Sequence, residues 1–467
     1  MQPTPRHEEK NGKIKKGLPS FCFDLAYAIF GLAYSPVFLK KIKQEPDPKR
    51  LWEERSGRLP GDLAGKIGRR KVLWLHAVSV GEVMAIRKFL TDFLKRNAGY
   101  YVILTTVTPT GQKMAREMQT EQLSVLYFPF DMGFACRSFF ETLRPDFLLL
   151  AETEIWPNLL TEAGKANVPV GILNARLSER SSRRYRRFGF IFEFFFKQLN
   201  FVLAQTQEDA NRFLECGVPA QRVQIAGNMK FDNTDLKGTG LSALSLKQDW
   251  GLNSQDHVWI AGSTHPGEEE ILLRVFLESR KKNPSLKLLI APRHIERSAG
   301  LEEKIRPLGF QVQLASRRDA GKPWDVLVLD QLGVLKDLYK IADTVFMGGS
   351  LIKHGGQNPI EPAVFKKPIL HGPFVFNFKK IYEILDQEGG ALCISNEKEL
   401  LTALDVAPDQ ESARIAMGTR AFDIVSRFQG ATERHLVCVE NFLAARSQER
   451  TNDSSHEKLF PKIGARV

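Results

Sequence analysis

The sequence predicts an α/β protein built from two Rossmann-like domains. Its 467 residues are more than one hydrophobic core usually holds, so two domains of ordinary size are expected. From residue 72 onward, short apolar runs alternate with amphipathic stretches, a pattern typical of parallel sheets covered by helices on both faces. A polar segment at residues 232–249 divides this alternation into two series. Two such domains would face a cleft, and ligands would bind there at the carboxyl ends of the strands.

The first series predicts an N-terminal domain over residues 44–231. In the helix expected at 83–96, Val83, Ile86 and Leu90 share one face, as in a helix that packs against a sheet. The apolar runs that predict its strands are residues 72–75, 102–105, 147–150, 170–173 and 201–204.

The second series predicts a C-terminal domain over residues 250–446, after a linker at 232–249. The residues beyond 446 are polar and are expected to form a tail at 447–467. The predicted strands of this domain are residues 258–261, 286–291, 326–329 and 344–347.

The N-terminus carries an apolar segment. A basic extension at residues 1–17 precedes the apolar run, and lysines follow this run within residues 40–43. Because a helix of about 20 apolar residues spans a bilayer, residues 18–43 predict a membrane anchor. Asp24 and Pro36 interrupt the run, so an amphipathic helix on the membrane surface and a buried helix are alternatives.

The net charge indicates a class of binding partner, and the cysteine content bears on metal sites and disulfides. The net charge of +12 favours an anionic partner, which could be nucleic acid, a phosphorylated substrate or an acidic membrane. No aromatic RNA-binding signature occurs, so no nucleic acid is expected. The five cysteines are far apart, and neither a CxxC pair nor HExxH is present, so no metal site or disulfide framework is expected.

Turns that suit anions follow the predicted strands of the second half. Glycines in "GST", "GGS" and "GGQNPIEPA" allow backbone amides to approach an oxyanion, and Arg293 in "PRH" has the geometry to grip a phosphate. Each turn also has a structural explanation, since Asn358, Pro359 and Glu361 form a good helix start. Together they predict a nucleotide or sugar-nucleotide site. Neither GxGxxG after the first strand nor a P-loop occurs, which argues against a dinucleotide dehydrogenase and a Walker-type ATPase.

Carboxylates follow the predicted strands of the first half. Ser79 and Glu82 match a capping box, which would explain Glu82 as part of a helix start. Glu152 and Glu154 directly follow another strand, however, and crowded carboxylates raise one another's pKa. This second pattern predicts acid–base chemistry at the same sheet edge.

Seven motifs resemble those of a known family, the bacterial 3-deoxy-D-manno-octulosonic-acid (Kdo) transferases of lipopolysaccharide assembly. The likeness extends from the N-terminal apolar segment to about residue 440. The motifs occur in the family's order: "HAVSVGEV", "TTVTPTGQ", "AETEIWPN", "NARLSERS", "GNMKFD", "PRH" and "GGQNPIEPA".

The resemblance implies a GT-B glycosyltransferase whose first domain binds the acceptor and whose second domain binds the donor. The donor would be CMP-Kdo, and the acceptor would be the lipid A precursor lipid IVA. Transfer would invert the anomeric centre, with no metal in the catalytic step and no cofactor. The enzyme would lie on the cytoplasmic face of the bacterial inner membrane, held by the N-terminal membrane-associated helix.

The resemblance also implies roles for individual residues. Glu82 would be the general base, and Glu152 and Lys230 would stabilise the transition state. The residues expected to bind CMP are Pro292, Arg293, Gly333, Val334, Leu335, Asn358, Pro359, Ile360 and Glu361.

Two other functions are alternatives, although the motifs disfavour both. One is a GT-B enzyme of envelope lipid synthesis that uses a UDP-sugar donor, and the other is a non-catalytic membrane-associated scaffold.

The arginine- and phenylalanine-rich stretch at residues 180–198 raises a separate question. It is either a core helix with a solvated basic entrance or an interfacial segment that binds the phosphates of the anionic membrane and acceptor. The basic residues in question are Arg180, Arg183, Arg184, Arg186 and Arg187.

Overall fold

The computed structural model describes Asp24, Tyr27 and residues 47–233, 242–319, 322–404 and 408–451. The predicted basic extension, most of the predicted anchor at 18–43 and the end of the predicted tail lie outside these residues. In the part of the chain that is described, no helix is both long and apolar enough to cross a membrane.

The chain folds into two compact units. The first comprises Met1–Asn233 together with Gly430–Val467, and the second comprises Thr234–Gln429. The sequence predicted a C-terminal domain that ends at residue 446. In the structure, the residues from 430 onward belong to the first unit instead.

The first unit contains a seven-stranded parallel sheet of order β3-β2-β1-β4-β5-β6-β7. All five strands that the apolar runs predicted are present. The two additional strands are β3, which is short, and β7, which is a half-exposed edge strand of three residues. The strands are β1 Lys71–His76, β2 Tyr100–Thr106, β3 Leu123–Tyr127, β4 Phe147–Ala151, β5 Val170–Ala175, β6 Phe201–Ala204 and β7 Val223–Ile225.

Helices cover both faces of this sheet. The predicted helix at 83–96 is present and begins earlier, at Val80, and its residues Val83, Ile86 and Phe89 are fully buried. Burying such a side chain stabilises the fold by about 1.5–3 kcal/mol. The helices are α1 Pro48–Arg55, α2 Leu63–Ile67, α3 Val80–Arg96, α4 Pro109–Arg116, α5 Gly133–Leu143, α6 Pro157–Lys165, α7 Glu179–Arg187, α8 Gly189–Phe196 and α9 Gln207–Glu215.

The second unit repeats the architecture with a seven-stranded parallel sheet of order β10-β11-β9-β8-β12-β13-β14. The four predicted strands lie at its centre, and the strands that were not predicted lie towards its edges and have three residues each. The strands are β8 His257–Thr264, β9 Leu286–Pro292, β10 Val312–Leu314, β11 Val326–Val328, β12 Thr344–Met347, β13 Ile369–His371 and β14 Ala391–Cys393.

A helix occupies the end of the predicted linker, because Ser242 accepts the N–H of Ser245 and so caps α10. The helices of the second unit are α10 Ala243–Asp249, α11 Glu269–Lys282, α12 Ser298–Ile305, α13 Leu335–Leu338, α14 Ile360–Val364, α15 Lys379–Gln387, α16 Glu397–Leu404 and α17 Pro408–Phe428.

The last helix, α18 Ala431–Thr451, returns to the first unit. Its start is capped by Asp232, whose carboxylate accepts the N–H of Gly430 at 2.8 Å and the N–H of Thr432. Further along, the Phe442 ring packs against Phe147 and Phe201, with centroid distances of 5.2 and 5.3 Å. A polar cap and an apolar contact therefore attach this helix to the first sheet.

Candidate active site

Glu82 lies in the first turn of α3, just beyond the end of β1. Its side chain is only 9% exposed. One carboxylate oxygen, Oε2, accepts the N–H of Val78 at 2.7 Å, and Oε1 accepts the hydroxyl of Ser79 at 3.1 Å. Ser79 makes no side-chain bond to a helix amide, and Glu82 accepts the N–H of Val78 rather than that of Ser79, so the two bonds of the predicted capping box do not form.

The environment of Glu82 raises the pKa of its carboxyl group above the value in water. Burial is the main cause, and the negative charge of Glu152 adds to it. The N–H of Val78, the hydroxyl of Ser79 and the charge of Lys230 act in the opposite direction, and the resulting pKa is about 7. A carboxyl with a pKa near 7 is well matched to accept a proton at neutral pH.

Glu152 and Lys230 form an ion pair beside Glu82. Glu152 follows β4, the sheet neighbour of β1, and it adopts a left-handed backbone with φ of 57°. Its N–H donates to the carbonyl of Leu173 at 2.9 Å, which fixes this conformation. The carboxylate accepts a bond from Lys230 Nζ at 2.9 Å. Lys230 lies on a 3-10 turn, Met229–Asn233, so the turn after β7 delivers the ammonium group.

Glu154 is the third carboxyl group at this edge. Burial, followed by the charges of Glu82 and Glu152, raises the pKa of Glu154 to about 8. The structure thus brings together the three strand-end glutamates that the sequence suggested.

A polar network that sequence reasoning missed supports the lysine turn. Asn174, at the end of β5, has a left-handed backbone with φ of 50°, and its Oδ1 accepts the N–H of Met229 at 3.0 Å. The N–H of Asn174 donates to His435 Nε2 at 2.9 Å, and His435 Nδ1 donates to the carbonyl of Ala431 at 2.7 Å. Burial lowers the pKa of His435 to about 4, so its ring is neutral and Nε2 is free to accept.

In the second unit, Arg293 and Glu361 lie at the carboxyl edge of the sheet. Arg293 follows β9 with an exposed side chain, and its N–H donates to the carbonyl of Thr264 at 3.0 Å. Burial raises the pKa of Glu361, whereas a bond from Asn358 and the charges of Lys336 and Arg293 oppose the rise. These electrostatic effects place Arg293, Lys336 and Glu361 near one another.

The helix start at residues 358–361 differs by one residue from the one that the sequence suggested, because Asn358 precedes the N-cap residue. Asn358 Oδ1 accepts the N–H of Ile360 at 3.2 Å, and its Nδ2 donates to Glu361 at 3.3 Å. Pro359 occupies the N-cap position of α14.

The other predicted donor-binding residues flank α13. Gly333 has a φ of 84°, and a Cβ atom at this position would meet no heavy atom within 4 Å. Val334 is the N-cap residue and Leu335 begins the helix. The Gly333 backbone is therefore open, as a turn that accepts a ligand requires.

The "GGS" turn differs from its predicted role as an anion site. The buried carboxylate of Glu268 accepts the N–H groups of Gly349 at 2.6 Å and of Ser350 and Leu351 at 2.9 Å. It also accepts the N–H of His265 at 3.1 Å. Because an internal carboxylate fills this amide nest, the turn has no donors left for a phosphate.

The basic stretch of the first unit lies at the surface. The five predicted arginines on α7 are all exposed. Phe190 is 80% exposed and Phe188 is 43% exposed, whereas Phe195 and Phe196 are buried in the core. Two arginines form ion pairs, Arg183 with Glu179 and Arg186 with Glu215. Tyr185, Phe192 and Phe194 are partly buried against the same core, so one side of the stretch packs inward while its arginines, Phe188 and Phe190 face solvent.

The described residues contain no group of three or more histidine, cysteine, aspartate or glutamate side chains arranged to hold a metal ion.

Comparisons with known proteins point to one family. A family model for 3-deoxy-D-manno-octulosonic-acid transferase (kdotransferase) matches residues 50–233. The chain is 32% identical to the 3-deoxy-D-manno-octulosonic acid transferase of Haemophilus influenzae over 79% of this chain and 87% of that protein. It is also 32% identical to the enzyme of the same name from Bordetella pertussis, over 83% and 89% of the two chains.

A solved structure shares the fold. It is the UDP-GlcNAc 2-epimerase from Neisseria meningitidis bound to UDP-GlcNAc, which is 15% identical and superposes with a TM-score of 0.52. The likeness covers 78% of this chain and 99% of the epimerase.

Proposed function

The chain belongs to the family of Kdo transferases, glycosyltransferases that transfer Kdo in lipopolysaccharide biosynthesis, and we propose that it moves Kdo from CMP-Kdo to the lipid A precursor lipid IVA. Its two parallel-sheet units resemble those of GT-B glycosyltransferases. The observation that carries the proposal is the buried Glu82, which has a pKa of about 7 and lies beside the Glu152–Lys230 pair.

Glu82 is the general base in this proposal. An alcohol is a weak nucleophile at neutral pH, so the acceptor hydroxyl must lose its proton to a positioned group as it attacks. The bonds from Val78 and Ser79 hold the carboxylate in place without protonating it. The capping role and the catalytic role are therefore compatible.

The Glu152–Lys230 pair stabilises the transition state. The sugar centre develops positive charge while its carboxylate and the departing phosphate carry negative charge. A lysine ammonium group can stabilise either anion, and the Glu152 carboxylate both orients that ammonium and favours positive charge nearby. Transfer proceeds with inversion and without a metal in the catalytic step.

The second unit binds the nucleotide. Arg293 provides a charged fork for the phosphate, and Glu361, held by Asn358, is placed to accept bonds from ribose hydroxyls. The open turn at Gly333, with Val334 and Leu335, provides backbone groups for the base. Pro292, Pro359 and Ile360 shape these turns, and no cofactor takes part.

The exposed face of α7 and the start of α8 bind the membrane in this proposal. Arginines beside exposed phenylalanines suit a surface of anionic lipid, where cations meet phosphates and rings enter the boundary with the acyl chains. The enzyme would act on the cytoplasmic face of the bacterial inner membrane, where the N-terminal apolar segment would serve as an anchor.

The test is to incubate the purified protein with CMP-Kdo and lipid IVA and to weigh the products. We expect the acceptor to gain the mass of a Kdo residue, which is Kdo less one water, and CMP to be released. A UDP-sugar enzyme would bind UMP better than CMP and leave the acceptor unchanged. A scaffold would bind vesicles without consuming the donor.

A further inference from the structure

Three histidines converge at the carboxyl edge of the second sheet. His265 follows β8, and its ring lies 3.8 Å from the ring of His354 and 6.1 Å from that of His294, measured between centroids. Its Nε2 atom is 3.2 Å from the side-chain nitrogen of Gln357. His265 is only 3% exposed, whereas His294 and His354 are exposed. His265 therefore fixes the cluster in the fold, whereas His294 and His354 are accessible from solvent.

Two arginine side chains also lie near this cluster. Besides the two histidines, the guanidinium groups of Arg293 and Arg297 act on His265. Two carboxylates near the histidines, Glu268 and Glu269, already have partners. Glu268 accepts four backbone N–H groups, and Glu269 accepts bonds from Arg297 at 2.6 and 3.1 Å and from Thr264 at 2.9 Å. Burial and these neighbouring groups lower the pKa of His265 to about 4, so its ring is neutral at pH 7.

The bonds from the "GGS" amides to Glu268 limit which groups can bind an anion at this edge of the sheet. Its amides are bonded to Glu268, so a phosphate at this edge of the sheet must be held by side chains. Arg293 and the three imidazoles offer such side chains. Imidazole N–H groups and a guanidinium fork are both good donors to phosphate oxygens.

We propose that His265, His294 and His354 form, together with Arg293, the subsite that binds the phosphate of the nucleotide donor. This inference rests on the proposed function and assigns three histidines to it, of which only His294 lies within a quoted motif, "PRH". As the bond between the sugar and the phosphate oxygen breaks, the electron pair stays on that oxygen and the phosphate charge changes from −1 to −2. The guanidinium group of Arg293 and the imidazole N–H groups stabilise the second charge, which favours departure of the nucleotide.

The test measures binding of CMP and of cytidine to the full chain by calorimetry. His354→Asn changes an exposed ring and leaves the buried part of the fold intact, whereas His265→Asn changes the buried anchor. Loss of a hydrogen bond to a charged group costs about 1.5–3 kcal/mol, so the dissociation constant for CMP should rise roughly tenfold or more in each variant. Cytidine lacks the phosphate, and its affinity should not change.

His257→Asn is the matched control, because His257 begins β8 at the opposite end of the same strand. Equal CMP affinity in this control, in both cluster variants and in the wild type would overturn the inference. So would variants that lose affinity for the free sugar acid but keep their affinity for CMP. Failure of the wild type to bind CMP at all would count against the proposed function, because that result does not depend on the histidines.

Discussion

The Nζ atom of Lys230 lies 2.9 Å from a carboxylate oxygen of Glu152, although 78 positions separate the two residues in the sequence. This ion pair acts on Glu82 in two directions. The charge of Glu152 raises the pKa of Glu82, and the charge of Lys230 lowers it. Changes to the two partners should therefore move the same titration in opposite directions.

Lys230→Met removes the positive charge and should raise the pKa of Glu82 above 7. The acid limb of the pH profile of kcat/KM, which reports the free enzyme's base, should then move to higher pH. Glu152→Gln removes the negative charge and should move that limb to lower pH. Both variants should also turn over more slowly. Shifts of the same sign in the two variants would contradict the assignment of Glu82 as the titrating base.

Glu154 should make stability depend on pH. Its pKa rises from 4.5 in an unfolded chain to about 8 in the fold, so the folded state holds this proton more tightly. The stabilisation is complete below pH 4.5 and is lost as the pH rises to about 8, at about 1.4 kcal/mol per pH unit. The raised pKa of Glu82 has an effect of the same sign on the free energy of unfolding, up to about pH 7.

Glu154→Gln mimics the protonated form, so its free energy of unfolding should fall less between pH 7 and 8 than that of the wild type. Urea titrations at the two pH values measure the difference, which should be about 1 kcal/mol. Glu179→Gln, at an exposed site in the same unit, is the control. Equal slopes in Glu154→Gln and the wild type would mean that Glu154 is ionised in the fold.

His435 should position Lys230 through Asn174 without touching a substrate. His435→Ala leaves the buried N–H of Asn174 without its acceptor, which costs about 1–3 kcal/mol and frees the lysine turn. We expect kcat to fall while CMP affinity stays unchanged, because the proposed CMP residues lie in the second unit. His435→Gln keeps an acceptor near the Nε2 position and should recover part of kcat. Equal kcat in both variants and the wild type would remove His435 from this role.

The surface arginines should bind anionic lipid. Changing Arg183, Arg184, Arg186 and Arg187 to Gln should weaken binding to anionic vesicles, since each basic residue contributes roughly 1 kcal/mol at such a surface. The KM for the lipid acceptor should rise, and donor affinity should stay constant. The control variant changes four basic residues of the second unit: Lys281, Lys304, Arg306 and Lys322. Equal losses in both variants would show a non-specific effect of net charge.

Much of the fold follows from local patterns in the sequence. Buried central strands such as β1 and β4 are continuous apolar runs, so they could be predicted from composition alone. The edge strands β7, β10 and β14 have three residues each, which is too short to produce a periodic signal. The position of α18 depends on Asp232 and on two distant aromatic rings, and no local pattern reports such contacts.

The residues of the candidate site also divide into those that a local sequence pattern indicates and those that depend on distant contacts. Glu82, Glu152 and Arg293 could be found because each follows a strand and falls within a motif. The role of Glu268 could not be predicted, because three of the N–H groups that it accepts lie more than 80 residues away in the sequence. His265 and His435 could not be predicted for a similar reason. The role of a lone histidine depends on neighbours that are distant in the sequence and that only the fold brings together.

The central claim, that Glu82 is the general base, is tested most directly by the rate of Kdo transfer in Glu82→Gln. The amide keeps an oxygen that can accept the N–H of Val78, so the melting temperature and CMP affinity should stay near those of the wild type. Loss of a general base should lower kcat by about 10²- to 10⁴-fold. A variant that transfers Kdo at nearly the wild-type rate but melts several degrees lower would show that Glu82 is only a helix cap.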